Sequence, residues 1–193
     1  MDLNKELILS SHSPRRKALL EKLRIPFTVN AIEIDETIPD EVHYASGAEY
    51  LAVKKAKAHG ILDNETIILA ADTIVVYNDV IYGKPTSRED AINTLTSLSD
   101  KKHSVYTGVC IYSAEKQISF TEQSEVKFAP ISDEEAGYYF DLDNPIDKAG
   151  SYGIQDWIGF VKVEYIVGSF TNILGLPLAQ TQQALLSFLQ DDK

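Results

Sequence analysis

The segment SSHSPRRK (residues 10–17) brings three hydroxyl groups and three cationic side chains together, between an apolar run and the start of a helical pattern. Ser13 is placed to cap that helix, and Pro14 fits its first turn, where a missing N–H costs nothing. The N–H groups of this turn and the helix dipole favour a bound anion. Arg15 and Arg16 oppose the dipole, and an anionic ligand would offset that effect. The segment therefore predicts an anion site, although a solvated helix start whose arginines pair with acidic loops also explains it.

Three carboxylates follow predicted strands and could hold a cation. Asp72 comes directly after five apolar residues, and Asp35 and Glu36 follow a second apolar run. Carboxylate oxygens are the ligands that Mg²⁺ prefers. The three residues therefore predict a magnesium site. The alternatives are an N-cap or turn role for Asp72 and a solvated acidic loop for the other two.

Two lysines complete the set of candidates. Lys55 lies near the apolar face of its predicted helix, beside Ala52 and Ala56. Lys84 stands in the segment YGKP, at the end of the hairpin that follows Asp72. Either lysine could neutralise a phosphate, and either could be an ordinary surface residue.

Hydrophobic periodicity and turn residues predict the elements that would position these groups. Predicted strands cover residues 5–11, 27–34, 66–85 with a turn at Asn78–Asp79, and 103–129 with a break at 113–117. Predicted helices cover residues 14–24, 47–60 with Ser46 as N-cap, 87–98 with Ser87 as N-cap, 133–141 after the capping box of Ser132 and Glu135, and 177–190. Residues 35–46 and 143–156 are predicted as loops, and residues 157–176 as strands with a turn. Helices that alternate with strands and are followed by hairpins indicate an α/β protein with a mixed sheet.

The composition is that of an ordinary globular chain. Its 193 residues, 44% of them hydrophobic, suffice for a buried core in one domain that spans residues 1–193. The net charge of −11 argues against a nucleic-acid-binding or membrane-binding surface. Cys110 is the only cysteine, and its apolar surroundings predict an inert strand residue. Because the sequence has neither a signal-peptide pattern nor a long apolar segment, we expect a cytoplasmic protein.

Four segments carry a family resemblance, namely LILSSHSPRRKALLEKL, AADTIVVYNDVIYGKP, DKAGSYGIQ and GLPL. Their order and spacing resemble the Maf-type nucleoside triphosphate pyrophosphatases over residues 7–189. The resemblance implies a Maf/ITPase-like fold, which is a single two-lobed α/β domain around an extended mixed β-sheet with the active site in the cleft between the lobes. It also implies hydrolysis of the α–β phosphoanhydride of a nucleoside triphosphate with a divalent metal, Mg²⁺ or else Mn²⁺ or Co²⁺.

The resemblance also assigns residues. The proton acceptor of the family falls on Asp72. The positions for phosphate binding and specificity fall on Ser11, Arg15, Lys55, Thr73, Lys84 and Gln155. The metal ligands fall on Asp35, its neighbour Glu36, and Asp72.

The segments ADTIV and DKAGSYGIQ are similar to the branch of the family that acts on dTTP and UTP. The amide of Gln155 offers a donor and an acceptor, which suits the O4 and N3–H edge of uracil or thymine. Gly150 and Gly153 would let the main chain approach the base. Tyr152 could stack on the base, but a packed structural tyrosine is the preferred interpretation.

The sequence departs from the family pattern beside the expected site. His12 stands where a small or polar residue is common, and Asp156–Trp157 follow Gln155 where the family usually has glycine. These departures bear on nucleotide preference rather than on the reaction.

Two other functions are compatible with the pattern. One is a pyrophosphatase of the ITP/XTP type, which would prefer deaminated purines. The other is a non-catalytic, nucleotide-binding regulator of cell division, since the family is linked to septum formation. The retained carboxylates favour an enzyme. A homodimer is an open possibility, because the aromatic hairpins could form its face, although aromatic strands are more often core.

Overall fold

The apolar runs of the sequence form a seven-stranded mixed sheet in the computed structural model of the chain, which describes residues 5–190. The strands are β1 (Glu6–Ser10), β2 (Thr28–Val29), β3 (Thr66–Tyr77), β4 (Val80–Tyr82), β5 (Lys102–Tyr112), β6 (Gln117–Phe128) and β7 (Val163–Val167). Their order is β2-β1-β3-β5-β6-β7, and β4 pairs with β3. β1 is parallel to β2 and β3, whereas the β3–β4 and β6–β7 pairs are antiparallel.

Seven α-helices connect or flank these strands in the described residues. They are α1 (Pro14–Glu21), α2 (Tyr44–Lys57), α3 (Arg88–Leu98), α4 (Asp133–Asp143), α5 (Trp157–Lys162), α6 (Phe170–Ile173) and α7 (Leu178–Gln190). Two short 3₁₀ turns, Pro145–Asp147 and Ala149–Ser151, lie between α4 and α5. In residues 5–190 no helix is both long enough and apolar enough to cross a membrane.

The described chain divides into two compact units. The first contains the residues up to Asp72, then Thr107–Glu122 and the residues from Gly175 onward, and the second contains Thr73–Tyr106 and Gln123–Leu174. Each unit has its own buried core. In the first, Leu9 of β1, Leu20 of α1 and Leu69 of β3 pack together, and in the second, Leu95 of α3, Phe128 of β6 and Tyr139 of α4 do so.

The predicted α/β class and mixed sheet are confirmed. The hairpin turn lies at Asn78–Asp79, where both residues have positive φ, and β5 and β6 flank the predicted break at 113–117. Ser87 caps α3, and Ser132 with Glu135 forms the capping box of α4. Helix α1 ends at Glu21, before the left-handed Arg24.

Three predictions of local structure were wrong. The strand predicted over 27–34 is limited to Thr28–Val29, because β1 ends at Ser10 and offers no partner beyond the bond from Asn30 N to Leu9 O.

The helix predicted over 47–60 begins at Tyr44 instead. Its N-cap is His43, whose Nδ1 accepts from Ala45 N at 3.2 Å, so Ser46 lies inside the helix.

The third error concerns the segment 157–176, which was predicted as strands with a turn. Within it only Val163–Val167 form a strand, and Phe170–Ile173 form the short helix α6. Residues Trp157–Lys162 form the short helix α5, in which the carbonyl of Asp156 accepts from Gly159 N and Phe160 N. A short apolar run does not distinguish a strand from a helix, and here a helix forms in which Ile158 is the buried residue.

Candidate active site

The predicted anion site lies where β1 passes into α1. Ser13 caps the helix by accepting from Arg16 N, and Pro14 occupies the first helical position. Ser11 is buried, and its hydroxyl accepts from Arg16 Nη1 at 3.2 Å. Arg15 is half-buried beside Arg16, and the positive charges of the two guanidinium groups repel each other.

Arg16 is the member of this segment with the most evident structural role. Its Nε donates to the carbonyl of Gly175 at 2.8 Å, which links α1 to a position 159 residues away. Burial lowers the pKa of Arg16, and the negative charges of Asp72 and Glu36 oppose that shift. The sequence pointed to Arg15 as the phosphate ligand, but no local pattern indicated that Arg16 would meet Gly175.

Lys55 joins two of the predicted carboxylates. It lies in the last turn of α2, and its Nζ contacts Oδ1 of Asp72 and lies 2.7 Å from Oε1 of Glu36. The side chains of Lys55 and Asp72 are each only 12% exposed, whereas that of Glu36 is 44% exposed. An ammonium group held by two carboxylates and shielded from water interacts strongly with both. The expected position of Lys55 on the inner side of its helix is confirmed by this burial.

Asp35 lies apart from this group. Its Oδ1 accepts from the backbone N and the hydroxyl of Thr37 at 2.9 and 2.6 Å, and its Oδ2 is 3.6 Å from Lys54 Nζ. The hydrogen bonds from Thr37 lower the pKa of the Asp35 carboxyl group. Asp35 and Glu36 are adjacent in the sequence, yet among residues 5–190 only Glu36 shares a partner, Lys55, with Asp72.

The donor set is compatible with a divalent cation. Asp72 and Glu36 already share one positive charge, that of Lys55, so their oxygens can converge on a cation. Residues 5–190 contain no group of three His, Cys, Asp or Glu side chains that could hold a metal ion. Mg²⁺ commonly uses one or two carboxylates and completes its shell with water and substrate phosphate. Two carboxylates therefore fit Mg²⁺ better than an ion that needs a full cage of protein ligands.

The other predicted residues belong to the second unit. Thr73 follows Asp72 on β3 and is half-buried. Lys84 is exposed just after β4, and the preceding carbonyl of Gly83 accepts from Gly150 N at 3.0 Å. Gln155 is half-buried, and its Nε2 donates to Oδ1 of Asp156 at 2.7 Å.

Asp156 forms a network that the sequence did not reveal. Its Oδ2 accepts from the hydroxyl of Tyr139 at 2.8 Å and lies 3.5 Å from Lys148 Nζ. The hydroxyl of Tyr139 in turn accepts from Gly153 N at 3.0 Å. Burial raises the pKa of Tyr139, so this hydroxyl keeps its proton. The only available signal was the unusual residue after Gln155.

Tyr152 is a packed structural residue, as preferred from the sequence. It is 6% exposed, its ring meets Phe128 edge-on, and its hydroxyl lies 2.8 Å from Nε2 of His103. Cys110 is likewise buried, and burial raises the pKa of its thiol to about 12, which fits an inert strand residue.

The sequence matches a family profile and curated relatives. The profile described as "Maf-like protein" matches residues 6–188. The chain is 45% identical to the dTTP/UTP pyrophosphatase of Parabacteroides distasonis over 185 residues, which are 95% of this chain and 96% of that protein. It is 46% identical to the dTTP/UTP pyrophosphatase of Phocaeicola vulgatus over 175 residues, 90% of this chain and 91% of that protein. A solved HAM1 protein from Coxiella burnetii has a TM-score of 0.49 at 16% identity, covering 97% of this chain and 99% of that chain.

Proposed function

The chain belongs to the Maf-like protein family, and we propose that it hydrolyses dTTP and UTP to the nucleoside monophosphate and pyrophosphate. One observation carries the proposal beyond the family relationship. A largely buried lysine, Lys55, contacts both Asp72 and Glu36, and the negative charges of these two carboxylates oppose the lowering of the pKa of Arg16 in the first turn of α1. Such an arrangement combines a base, a fixed cation and an anion-binding helix start.

In the proposed reaction, water attacks the α-phosphorus of the nucleotide. Asp72 accepts a proton from that water as its oxygen bonds to phosphorus. The bond from the α-phosphorus to the bridging oxygen breaks, and pyrophosphate leaves with the electron pair. A positioned base of this kind contributes about 10²–10⁴-fold in rate.

Cationic groups of this chain would neutralise the triphosphate. Phosphoryl transfer depends mainly on positioning and on charge stabilisation. Lys55, Arg15 and Lys84 supply positive charge, and the hydroxyl of Ser11 together with the first turn of α1 can donate hydrogen bonds to phosphate oxygens.

A divalent metal forms part of the proposal, with Mg²⁺ the first choice and Mn²⁺ or Co²⁺ as alternatives. Asp72 and Glu36 would hold it, and Asp35 would join them only after leaving Thr37 and Lys54. When bound, such an ion offsets phosphate charge and activates water.

Thr73 and Gln155 are the proposed contacts for nucleotide choice. We also propose a cytoplasmic location, where these nucleotides are used. Light scattering tests whether the protein forms a homodimer.

The test is pyrophosphate release by the wild type and by Asp72→Asn from dTTP, UTP, CTP, GTP, 7-methyl-GTP and ITP, with Mg²⁺ or Mn²⁺. We expect turnover of dTTP and UTP, and a loss of about 10²–10⁴-fold in kcat for Asp72→Asn. Asp40→Asn, a change of an exposed carboxylate in the same unit, serves as the control and should retain activity.

Two results would overturn the proposal. Preference for ITP would indicate the purine-directed enzyme, and inactivity of a folded wild type on every nucleotide would favour the regulatory protein. Near-wild-type turnover by Asp72→Asn would remove the role of Asp72 as the base.

A further inference from the structure

We propose that Asp156 is a positioning residue that fixes the amide of Gln155, so that Gln155 presents its oxygen, and not its NH₂ group, to the base of the nucleotide. This inference rests on the proposed function, in which Gln155 contacts the base. It concerns a residue at which the chain departs from the glycine usual for the family.

The orientation of the Gln155 amide follows from hydrogen-bond chemistry. An amide has one donor end and one acceptor end, whereas an ionised carboxylate only accepts. The Gln155 amide lies 2.7 Å from Oδ1 of Asp156, so its NH₂ group must face the carboxylate. Its Oε1 is thereby left as the acceptor.

A chain of hydrogen bonds sets this direction from the backbone. Gly153 N is a donor only, and it donates to the hydroxyl of Tyr139. Because the Asp156 carboxylate only accepts, the hydroxyl donates its own proton to Oδ2 of Asp156. Asp156 has to accept from Tyr139 on one oxygen and from Gln155 on the other, a task suited to a carboxylate.

Two features of Asp156 support its role in positioning the Gln155 amide. Asp156 occupies the N-cap position of α5, where an aspartate normally accepts from the first turn, yet its side chain makes no capping bond. Its carboxylate instead faces Tyr139, Gln155 and, at 3.5 Å, Lys148. The side chains of Asp156 and Lys148 are only 14% and 11% exposed, so water weakens this pairing little.

Gly153 provides the space for the arrangement. A Cβ atom built on Gly153 would overlap Oδ2 of Asp156 and come within 2.6 Å of Nε2 of Gln155. Any larger residue at this position would displace the Asp156 carboxylate or the Gln155 amide. The glycine thus permits the contact between Gln155 and Asp156.

The fixed amide has a consequence for base choice. Uracil and thymine carry a donor at N3–H, whereas cytosine carries an acceptor at N3. An outward Oε1 of Gln155 accepts from N3–H but faces the lone pair of cytosine N3 unfavourably. The geometry therefore favours uracil and thymine nucleotides over cytosine nucleotides through Asp156.

The test is Asp156→Asn, measured as the ratio of kcat/KM for UTP to that for CTP. Lys148 Nζ only donates and lies 3.5 Å from the position of Oδ2, so the asparagine oxygen takes this position beside Lys148 and the Tyr139 hydroxyl. The asparagine NH₂ group then faces Gln155 and reverses the Gln155 amide. We expect the UTP-to-CTP ratio to fall by about 10-fold or more, since a satisfied polar contact becomes an unsatisfied one. An unchanged ratio in the folded variant would overturn the inference.

A swapped double variant separates this role from a structural one. In Gln155→Glu with Asp156→Asn, the asparagine NH₂ group again faces residue 155, but a carboxylate there presents only acceptors. We expect the double variant to recover most of the UTP preference lost in Asp156→Asn, and no recovery would contradict the mechanism. Asp143→Asn changes a nearby carboxylate that accepts from Trp157 N, and it should leave the ratio as in the wild type.

The wild-type measurement distinguishes the two levels of proposal. Turnover of UTP by the wild type with no change of ratio in Asp156→Asn overturns only the role of Asp156. Absence of turnover with both dTTP and UTP overturns the proposed function and this inference with it.

Discussion

Arg16 illustrates how one side chain supports the site without being assigned to the substrate. Its guanidinium reaches Ser11 at 3.2 Å and the carbonyl of Gly175 at 2.8 Å. The first contact orients a hydroxyl that is proposed to bind phosphate, and the second fixes the chain that leads into α7. An arginine can hold two such acceptors at once because its donors form a rigid fork.

We therefore expect Arg16→Gln to lower the free energy of unfolding by about 1–3 kcal/mol, since partly buried acceptors lose their charged donor. The measurement is urea unfolding followed by fluorescence. Lys17→Gln, an exposed change one position along α1, should stay within about 0.5 kcal/mol of the wild type. Equal stability of the two variants would show that Arg16 does not hold Gly175.

The sequence revealed those site residues whose contacts lie within a few residues along the chain. Ser13 was identifiable as a cap because its bond reaches only three residues along the chain. The inward position of Lys55 followed from helical phase beside two alanines. In contrast, the different partners of Asp35 and Glu36 depend on α2 and β3, and the partner of Arg16 lies 159 residues away. Contacts between distant segments leave no local pattern.

At the scale of elements, the packing of α2 against the sheet determines where Lys55 stands. A Cβ atom built on Gly108 of β5 would overlap the backbone of Ala48 and Glu49 in α2. The helix is also tied to β6, because the carboxylate of Glu49 accepts from Ser119 at 2.7 Å and from Thr121 at 2.9 Å. Helix α2 therefore lies directly on the strand at Gly108.

Gly108→Ala should force α2 away from β5 and destabilise the fold by about 2–3 kcal/mol, since neither backbone segment can yield cheaply. Because Lys55 moves with the helix, kcat/KM for UTP should fall as well. Gly83→Ala provides the stability control, because a Cβ atom there meets nothing within 4 Å and its φ is not positive. Urea unfolding of both variants checks the expectation, and wild-type stability of Gly108→Ala would refute the close approach.

The elements that the sequence predicted well are those with strong end signals. The Ser132–Glu135 capping box and the Asn78–Asp79 turn each use bonds or backbone angles within a few residues. Two of the elements predicted wrongly, β2 and α5, are short, whereas the 14-residue helix α2 was predicted wrongly at its start. The strand after Phe27 needed a partner that β1 could not supply. Helix α5 has six residues, which is too short for hydrophobic periodicity to separate a strand from a helix.

At the scale of the whole molecule, we expect the response to mild acid to depend on a buried histidine more than on the net charge of −11. His103 is 2% exposed, and in the described part of the chain its Nδ1 has no hydrogen-bond partner. Burial lowers the pKa of His103 from 6.5 to about 3. Most carboxyl groups titrate below about pH 4.5, so charge repulsion within the protein changes little between pH 6.5 and 5. Burial also lowers the pKa of His59, but His103 is the more deeply buried of the two and should contribute more in this interval.

The sign follows from proton binding. Below pH 6.5 the unfolded chain protonates His103, whereas the folded protein does so only near pH 3. The stability associated with neutral His103 is thus complete above pH 6.5 and declines as the pH falls toward 3. From pH 6.5 to 5 this amounts to about 2 kcal/mol. We expect His103→Gln, which does not titrate, to lose that much less stability over this interval than the wild type.

Tyr152→Phe is the matched control for this measurement. It removes the hydroxyl that lies 2.8 Å from His103 Nε2 but keeps the imidazole buried. Since burial is the cause of the lowered pKa, Tyr152→Phe should be less stable at pH 7.5 by about 1 kcal/mol and still show the wild-type dependence on pH. Urea unfolding at pH 7.5, 6.5, 5.5 and 5 measures both quantities. If the free energy of unfolding fell equally with pH in His103→Gln and the wild type, the burial of neutral His103 would not be the cause of the loss of stability in acid.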